Sequence, residues 1–434
     1  MLPRVMAKPK PKKLRILWGS EQPTRPTGYA VVTREICKRL VALGHEVFVM
    51  GWDHNGEDWT HEEGWTMVHA GIGGYGSDRI NASGATVLEY NISRLEPDVY
   101  ISLIDPWFIG HAVQSTNRLG VPYLAYLPVD GFPLSYKWKD ILANLNQPVW
   151  MADFGRQQMV DYVKQWGSNG DGTKDMRDPH LDRYLINPGP VIYHGVDLDV
   201  FKPFTAAQKK EARQQLGVDW DFTFLSVARN TNRKQIPRLL QALKQVVDRV
   251  GEGKVGLILH CGDPTDTMGM GGWPLPDLVK EYGLYDSVRF SDTSSNPLLG
   301  LSREEMSMLY GLSDVHVMAT GGEGFGIPSA EAMACGLPII LPANSTGPEL
   351  VGNKDERGWL IPQCTSIVGP KWGVNMGLVD VEKLADAMIE AYMSKDTALY
   401  QDKSTAARTF AEARFNWDDI TQQFLTQIEK KVNQ

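Results

Sequence analysis

The chain has 434 residues, 42% of them hydrophobic and 22% charged, with a net charge of −8. That length exceeds what one hydrophobic core usually organises, so two domains are expected. The composition is that of an ordinary globular protein, no apolar run reaches membrane-spanning length, and the negative charge argues against broad nucleic-acid binding.

Residues 1–13 form a basic leader; six basic residues and no acids precede Ile16. It lacks an apolar core segment, so it reads as flexible and solvated rather than as a secretory signal. Cys37, Cys261, Cys335 and Cys364 are scattered without ligand spacing. They read as buried apolar residues in a reducing compartment, which implies a cytoplasmic protein. The acceptor-like triplets at Asn81, Asn91 and Asn344 then have no consequence.

Residues 14–18 are a short apolar run suited to a buried parallel strand. A loop over 19–28 leads to a helix over 29–43, where Val32, Ile36, Leu40 and Leu43 fall at helical spacing and Gly44 gives the stop. A strand over 46–50 completes a βαβ unit. Further strands are expected at 66–69, 98–103, 123–127 and 149–152, giving a right-handed doubly wound sheet. The extended run 191–203 breaks this alternation and ends in Pro203, and a new helix begins at 206. A second series follows, with strands at 222–228, 255–260, 288–290, 315–318 and 338–341. The last helix, over 418–432, carries apolar Ile420, Phe424, Leu425 and Ile428. The expected division is 14–197, 198–412 and a terminal helical segment 413–434.

Three segments carry chemistry. In Gly321-Gly322-Glu323-Gly324-Phe325-Gly326-Ile327-Pro328-Ser329-Ala330-Glu331, two carboxylates stand eight positions apart around a glycine turn and a helix start. Glycines let backbone N–H groups approach a ligand, and a helix N-terminus favours anionic or hydroxyl-rich groups. Glu323 and Glu331 can therefore grip two parts of one polyhydroxylated molecule. The second segment, Ala228-Arg229-Asn230-Thr231-Asn232-Arg233-Lys234, ends the first strand of the second series, where α/β sheets bind ligands. Arg229 and Lys234 are cations suited to a diphosphate, and Arg233 adds a third. The third segment is the loop 19–28, whose Gly28 adjoins the first long helix.

These motifs resemble the retaining family 4 glycosyltransferases, and the likeness runs from Leu14 to the last helix. Gly44-His45-Glu46-Val47 and His194-Gly195-Val196-Asp197 fit the family's first βαβ unit and its domain junction. The resemblance implies an α/β GT-B fold: two Rossmann-like doubly wound domains facing a central cleft, with the C-terminal helix crossing back to the N-terminal domain. The N-terminal domain is then the acceptor side and the C-terminal domain the donor side. It implies a nucleotide-diphosphate sugar as donor substrate, no metal and no other cofactor. Arg229 and Lys234 then hold the donor phosphates, Glu331 the ribose, Glu323 the donor sugar, and the backbone of Gly324, Phe325, Gly326 and Ile327 the same sugar. Gly28 lies over the phosphates. In this register the loss of Arg233 is expected to be nearly silent.

The chain departs from the family in three places. Ala228 stands before the Arg and Gln235 after the Lys, where glycines are usual. Pro128 stands near the family's cleft histidine, which leaves Asp130 to replace that histidine, bind the acceptor or cap a turn. His111 and His194 are poor substitutes by position. Gly71-Ile72-Gly73-Gly74-Tyr75-Gly76 matches a dinucleotide fingerprint but follows a later strand than that fold requires. Asp197-Leu198-Asp199 resembles a metal motif but falls in the junction. Trp52, Trp59, Trp65, Trp107 and Trp138 suit core packing better than sugar stacking. The acceptor stays open among glycan, lipid, protein, small molecule and modified nucleic-acid base. The leader with Lys38 and Arg39 gives a faint hint of peripheral membrane contact. A nucleotide-sugar epimerase and an inactive sugar-nucleotide-binding protein are the competing readings.

Overall fold

The computed structural model describes residues 13–71, 84–168, 176–265, 272–291, 300–369 and 374–434. The leader through residue 12, most of the Gly71–Gly76 sequence and Asn81 lie outside these residues.

The first series gives strands β1 (Arg15–Ser20), β2 (Glu46–Gly51), β3 (Trp59–Thr60), β4 (Thr66–Val68), β5 (Val99–Leu103), β6 (Tyr123–Leu127) and β7 (Gln147–Trp150). They form a sheet in the order β3-β4-β2-β1-β5-β6-β7. β1 pairs in parallel with both β2 and β5, so the chain starts in the centre and winds both ways. The two-residue β3 adds an antiparallel edge that the sequence reading did not contain. The helix Gly28–Ala42 follows β1, and the Thr27 hydroxyl accepts the Ala30 N–H at its start. Gly44, at φ 97°, ends the turn after it in a conformation that glycine adopts most easily. Trp65 and Trp138 are buried, in keeping with core packing, whereas Trp59 is 40% exposed.

The second series gives β8 (Phe222–Val227), β9 (Val255–His260), β10 (Val288–Phe290), β11 (Val315–Val317), β12 (Ile339–Pro342) and β13 (Gly358–Ile361). Their order is β10-β9-β8-β11-β12-β13, and the neighbouring strands among the described residues all pair in parallel. β13 was not anticipated. Neither was the antiparallel hairpin of β14 (Gln363–Val368) and β15 (Asn375–Val379). The helix Ile236–Val250 covers this sheet with Ile236, Leu239, Leu240, Leu243, Val246 and Val247, one stripe at helical spacing, all buried in a common core with Phe222, Phe224 and Leu257.

By compactness the chain falls into two units. One holds the described residues up to Ile104, with Phe108–Ala125 and Phe424–Gln434; the other holds Asp105–Trp107 and Tyr126–Gln423. In the first unit, Phe424 of the terminal helix Trp417–Val432 meets the β1 residue Trp18 edge-on, with ring centroids 5.9 Å apart. In the second, the helix Asp153–Trp166 starts after Ala152, which has no side chain able to cap it. The Glu349 carboxylate does so instead, accepting the Asp153 N–H at 2.9 and 3.0 Å and the Tyr193 hydroxyl.

Candidate functional site

β8 opens the second sheet. The chain then adds β9 and β10 on one side and returns to place β11 on the other. The order therefore reverses between β8 and β11, and ligands of open α/β sheets bind beyond the strand ends at such a point. The two motif segments leave the sheet there, residues 228–235 after β8 and 318–326 after β11.

The first turn carries the cations. Arg229 is exposed and, among the described residues, makes no hydrogen bond or ion pair. The next residue, Asn230, anchors the turn: its amide donates to the Trp273 carbonyl at 2.7 Å and accepts the Trp273 N–H at 3.1 Å. A short 3-10 turn, Asn232–Lys234, then presents Arg233 and Lys234 toward the second turn. Lys234 Nζ lies 2.6 Å from Glu323 Oε1. Arg233 spans more ground. Its guanidinium is 3.2 Å from Glu323 Oε2 and 3.5 Å from Asp130 Oδ2, and it donates to the Gly322 carbonyl.

Arg233, the third cation of the segment, is thus engaged within the protein. It joins the Asp130 segment to the glycine turn, and its own carbonyl accepts the Gly321 N–H at 2.7 Å. Asp130 is the partner of that guanidinium. The segment containing it lies so close to the turn that a Cβ on Gly322 would collide with the Asp130 carbonyl, and one on Gly324 with Pro128. The two glycines are thus required by close approach rather than by turn geometry.

Electrostatics follow from burial. Burial alone would raise the Glu323 pKa, but Arg233 and then Lys234 outweigh it and hold the carboxyl at about 2. Burial lowers the Lys234 pKa, against the pull of Glu323. Burial also works against the Arg233 charge, yet Glu323 and Asp130 more than offset it and its pKa is raised. The Glu323 N–H donates to Ser345 Oγ at 2.8 Å, and the Gly322 carbonyl accepts the Thr320 hydroxyl at 3.0 Å.

Beyond Glu323 the chain enters the helix Ile327–Ala334 through Gly326, at φ 98°. Among the described residues, the N–H groups of Gly324, Phe325, Gly326 and Ile327 donate to no protein acceptor. Four consecutive donors of this kind suit an anion or a set of hydroxyl groups. The Phe325 side chain is occupied elsewhere. It is buried, with its ring centroid 4.8 Å from His194 and 5.6 Å from Phe415. His194, set aside by position in the sequence, thus lies directly against the turn, and burial lowers its pKa to about 3.

Glu331 is the fifth residue of that helix. Its Oε2 accepts the Tyr310 hydroxyl at 2.9 Å. Burial raises its pKa to about 7; the Tyr310 bond and Arg303 pull the other way. Arg303 also pairs with Asp197 at 3.1 Å, which engages the first acid of the Asp197-Leu198-Asp199 sequence. Gly28 is the exposed first residue of its helix in the first unit, where the loop leaves β1 beside β5, the reversal point of the first sheet. Sequence reasoning missed Tyr310, Thr320, Ser345 and Gln235. Only Gln235 left a signal, as a large residue where the resembled family has glycine.

Residues 208–391 match the family model described as "Glycosyl transferases group 1". The chain is 28% identical over 243 residues to D-inositol 3-phosphate glycosyltransferase of Mycobacteroides abscessus, covering 54% of this chain and 50% of that protein. It is 28% identical over 233 residues to the GDP-mannose-dependent alpha-(1-6)-phosphatidylinositol monomannoside mannosyltransferase of Mycobacterium tuberculosis, covering 52% of each. The chain thus spans about half the length of the curated relatives it matches. Among solved structures, sucrose-phosphate synthase from Thermosynechococcus elongatus superposes with a TM-score of 0.71 at 20% identity, covering 96% of this chain and 99% of that one. Anabaena HepE in complex with UDP-glucose gives 0.67 at 17% identity, covering 96% and 100%. Residues 208–391 are thus similar to the glycosyl transferases of group 1, and the architecture of the chain is the GT-B fold.

Proposed function

We propose that this chain moves a sugar from a nucleotide-diphosphate sugar to a hydroxyl acceptor, with retention of anomeric configuration and without a metal. The observation that carries this reading is the row of four undonated N–H groups at residues 324–327, set between Glu323, which is ionised, and Glu331. A sugar's hydroxyl oxygens accept from the N–H groups, and Glu323 accepts from its hydroxyls. Glu331 takes the ribose hydroxyls. Arg229, which has no protein partner among the described residues, and Lys234 take the diphosphate. The relatives support the class of donor and acceptor: one is named for GDP-mannose and both for inositol-containing acceptors.

As the glycosidic bond breaks, its electron pair leaves on the diphosphate oxygen, where Arg229 and Lys234 meet the growing charge. The acceptor hydroxyl adds on the face the diphosphate leaves, and its proton passes to the departing phosphate oxygen. Asp130, tied to Arg233, orients that guanidinium instead of taking the proton. We assign residues 14–197 to the acceptor side, 198–412 to the donor side and 413–434 to the terminal helix. Buried thiols at Cys37, Cys261 and Cys335, free of disulfides, fit a cytoplasmic setting.

A panel of nucleotide sugars tests the reading by thermal shift and by release of nucleoside diphosphate. A donor at about 100-fold its Kd stabilises by about 2.7 kcal/mol. One donor is expected to stabilise the protein and be consumed. A full panel that neither stabilises nor turns over contradicts the proposal.

A further inference from the structure

The β14–β15 hairpin lies outside both motif segments, yet β15 is bonded to three pieces of the phosphate site. Asn375 bridges Phe132, two residues from Asp130: the Asn375 N–H donates to the Phe132 carbonyl at 2.7 Å, and the Asn375 carbonyl accepts the Phe132 N–H at 3.1 Å. The Gly377 N–H donates to the Gly321 carbonyl at 2.8 Å. The third partner is a side chain. Gln235 Nε2 donates to the Gly377 carbonyl at 2.7 Å, and Gln235 Oε1 accepts the Val379 N–H at 3.1 Å. That pattern, one donor and one acceptor to residues two apart, is the one a residue of a neighbouring strand would make. Arg238 adds a bond to the Val379 carbonyl at 2.6 Å.

Gln235 is 6% exposed and holds φ 46° and ψ 36°, a region where glycine meets no strain and a glutamine does. The turn alone gains nothing from a glutamine there. Its two bonds to β15 are what the side chain contributes. They matter because β15 then holds both ends of one ion pair: Lys234 through the adjacent Gln235, and Glu323 through Gly321. A Cβ at Gly321 would stand 2.9 Å from Gln235 Nε2 and 3.1 Å from the Gly377 carbonyl oxygen, so a side chain there would press on this same contact.

We propose that Gln235 is a positioning residue, through which the β14–β15 hairpin fixes Lys234 against Glu323 in the geometry that sugar transfer requires. The proposal rests on the transferase reading above. The hairpin is then part of the catalytic frame, although the diphosphate itself is assigned to Arg229 and Lys234. Displacing Lys234 slightly should affect the step in which phosphate charge develops more than it affects ground-state binding.

The test is Gln235→Gly, which relieves the backbone strain while removing both bonds, beside Gln235→Glu, which keeps the acceptor for Val379 N–H but not the donor for Gly377. For Gln235→Gly, kcat is expected to fall at least about tenfold while donor KM changes less than about threefold, with Gln235→Glu intermediate. Amide exchange at Val379, whose N–H the Gln235 side chain accepts, should be slow in the ligand-free wild type and faster in the Gly variant. A folded Gln235→Gly protein with unchanged kcat overturns the proposal. Equal changes in kcat and KM, with lowered melting temperature, also overturn it by reducing the role to general stability. Should the variants not fold, fast exchange at Val379 in the wild type is itself contradictory, and slow exchange there supports the Gln235 bond to β15. If the wild type consumes no nucleotide sugar, the transferase reading fails and the catalytic role falls with it, an outcome that the exchange measurement separates from failure of the Gln235 contact with β15.

Discussion

At the scale of single residues, the site distinguishes cations that sequence alone makes look alike. Arg229 is exposed and unengaged among the described residues, Lys234 faces Glu323, and Arg233 ties together Asp130, Glu323 and Gly322. Lys234→Ala is therefore expected to lower kcat more than it raises donor KM, by about 3 kcal/mol for a charged contact to the leaving group. Arg229→Ala should weaken donor binding and turnover together. Arg233→Ala is expected to be damaging as well, by releasing the Asp130 segment, and its mark is lost thermal stability in addition to lost activity. Steady-state kinetics paired with a melting curve for each variant distinguishes these outcomes. An Arg233→Ala protein as stable and active as wild type would show that its bonds are dispensable.

Glu331 gives a pH signature. Its pKa is raised to about 7 by burial, so the carboxyl is protonated below that pH and ionised above it. In the proposed site, ribose hydroxyls would donate to the ionised form. Nucleotide affinity is accordingly expected to fall as pH drops through about 7, approaching tenfold per unit well below it. Titration calorimetry of a nucleoside diphosphate between pH 5.5 and 8.5, values chosen to span about one unit or more either side of that pKa, checks this. Glu331→Gln should flatten the profile. A wild-type affinity that does not vary with pH would remove Glu331 from the ribose.

At the scale of elements, the glycine turns and helix starts were legible in the sequence, because their signals are local. Glu323, Glu331 and the glycines between them occupy the strand-turn-helix context that their spacing implies. Most strands appear within one or two residues of their expected places, such as β8 at Phe222–Val227 and β9 at Val255–His260. The missing elements share a physical cause. β14 is exposed over nearly its whole length, so it has no buried face to impose alternation. β3 is two residues long. The missed site contacts are nonlocal: Arg233 and Lys234 reach 89 positions along the chain to Gly322 and Glu323, and Gln235 reaches 142 to Gly377. No periodicity encodes such a pairing.

The helix Asp153–Trp166 makes the same point. Its own N-cap position, Ala152, supplies no acceptor, and the cap comes from Glu349, 196 positions away. Removing it should cost about 1 kcal/mol locally, the usual worth of a cap. Amide exchange at Asp153 and Phe154 is expected to speed up several-fold in Glu349→Ala. Unchanged exchange would mean that water caps this helix equally well.

At the scale of the whole molecule, the fold sets the chemistry by placing two turns at the reversal point of one sheet. Charge in this site is supplied by side chains: Arg229, Arg233 and Lys234 against Asp130 and Glu323. Asp197, the nearest thing to a metal motif, is paired with Arg303. Activity is therefore expected to survive EDTA, and loss of turnover on chelation with recovery on adding manganese or magnesium would overturn that part of the proposal.

The central claim is that a nucleotide diphosphate sits on Glu331 and the cations of the two turns. Titration calorimetry of UDP, GDP, ADP and dTDP against the wild type and Glu331→Ala tests it most directly. One nucleotide should bind the wild type and lose at least about tenfold in affinity, about 1.4 kcal/mol, in the variant. No binding by any nucleotide, or equal affinity in a folded Glu331→Ala protein, would contradict the account.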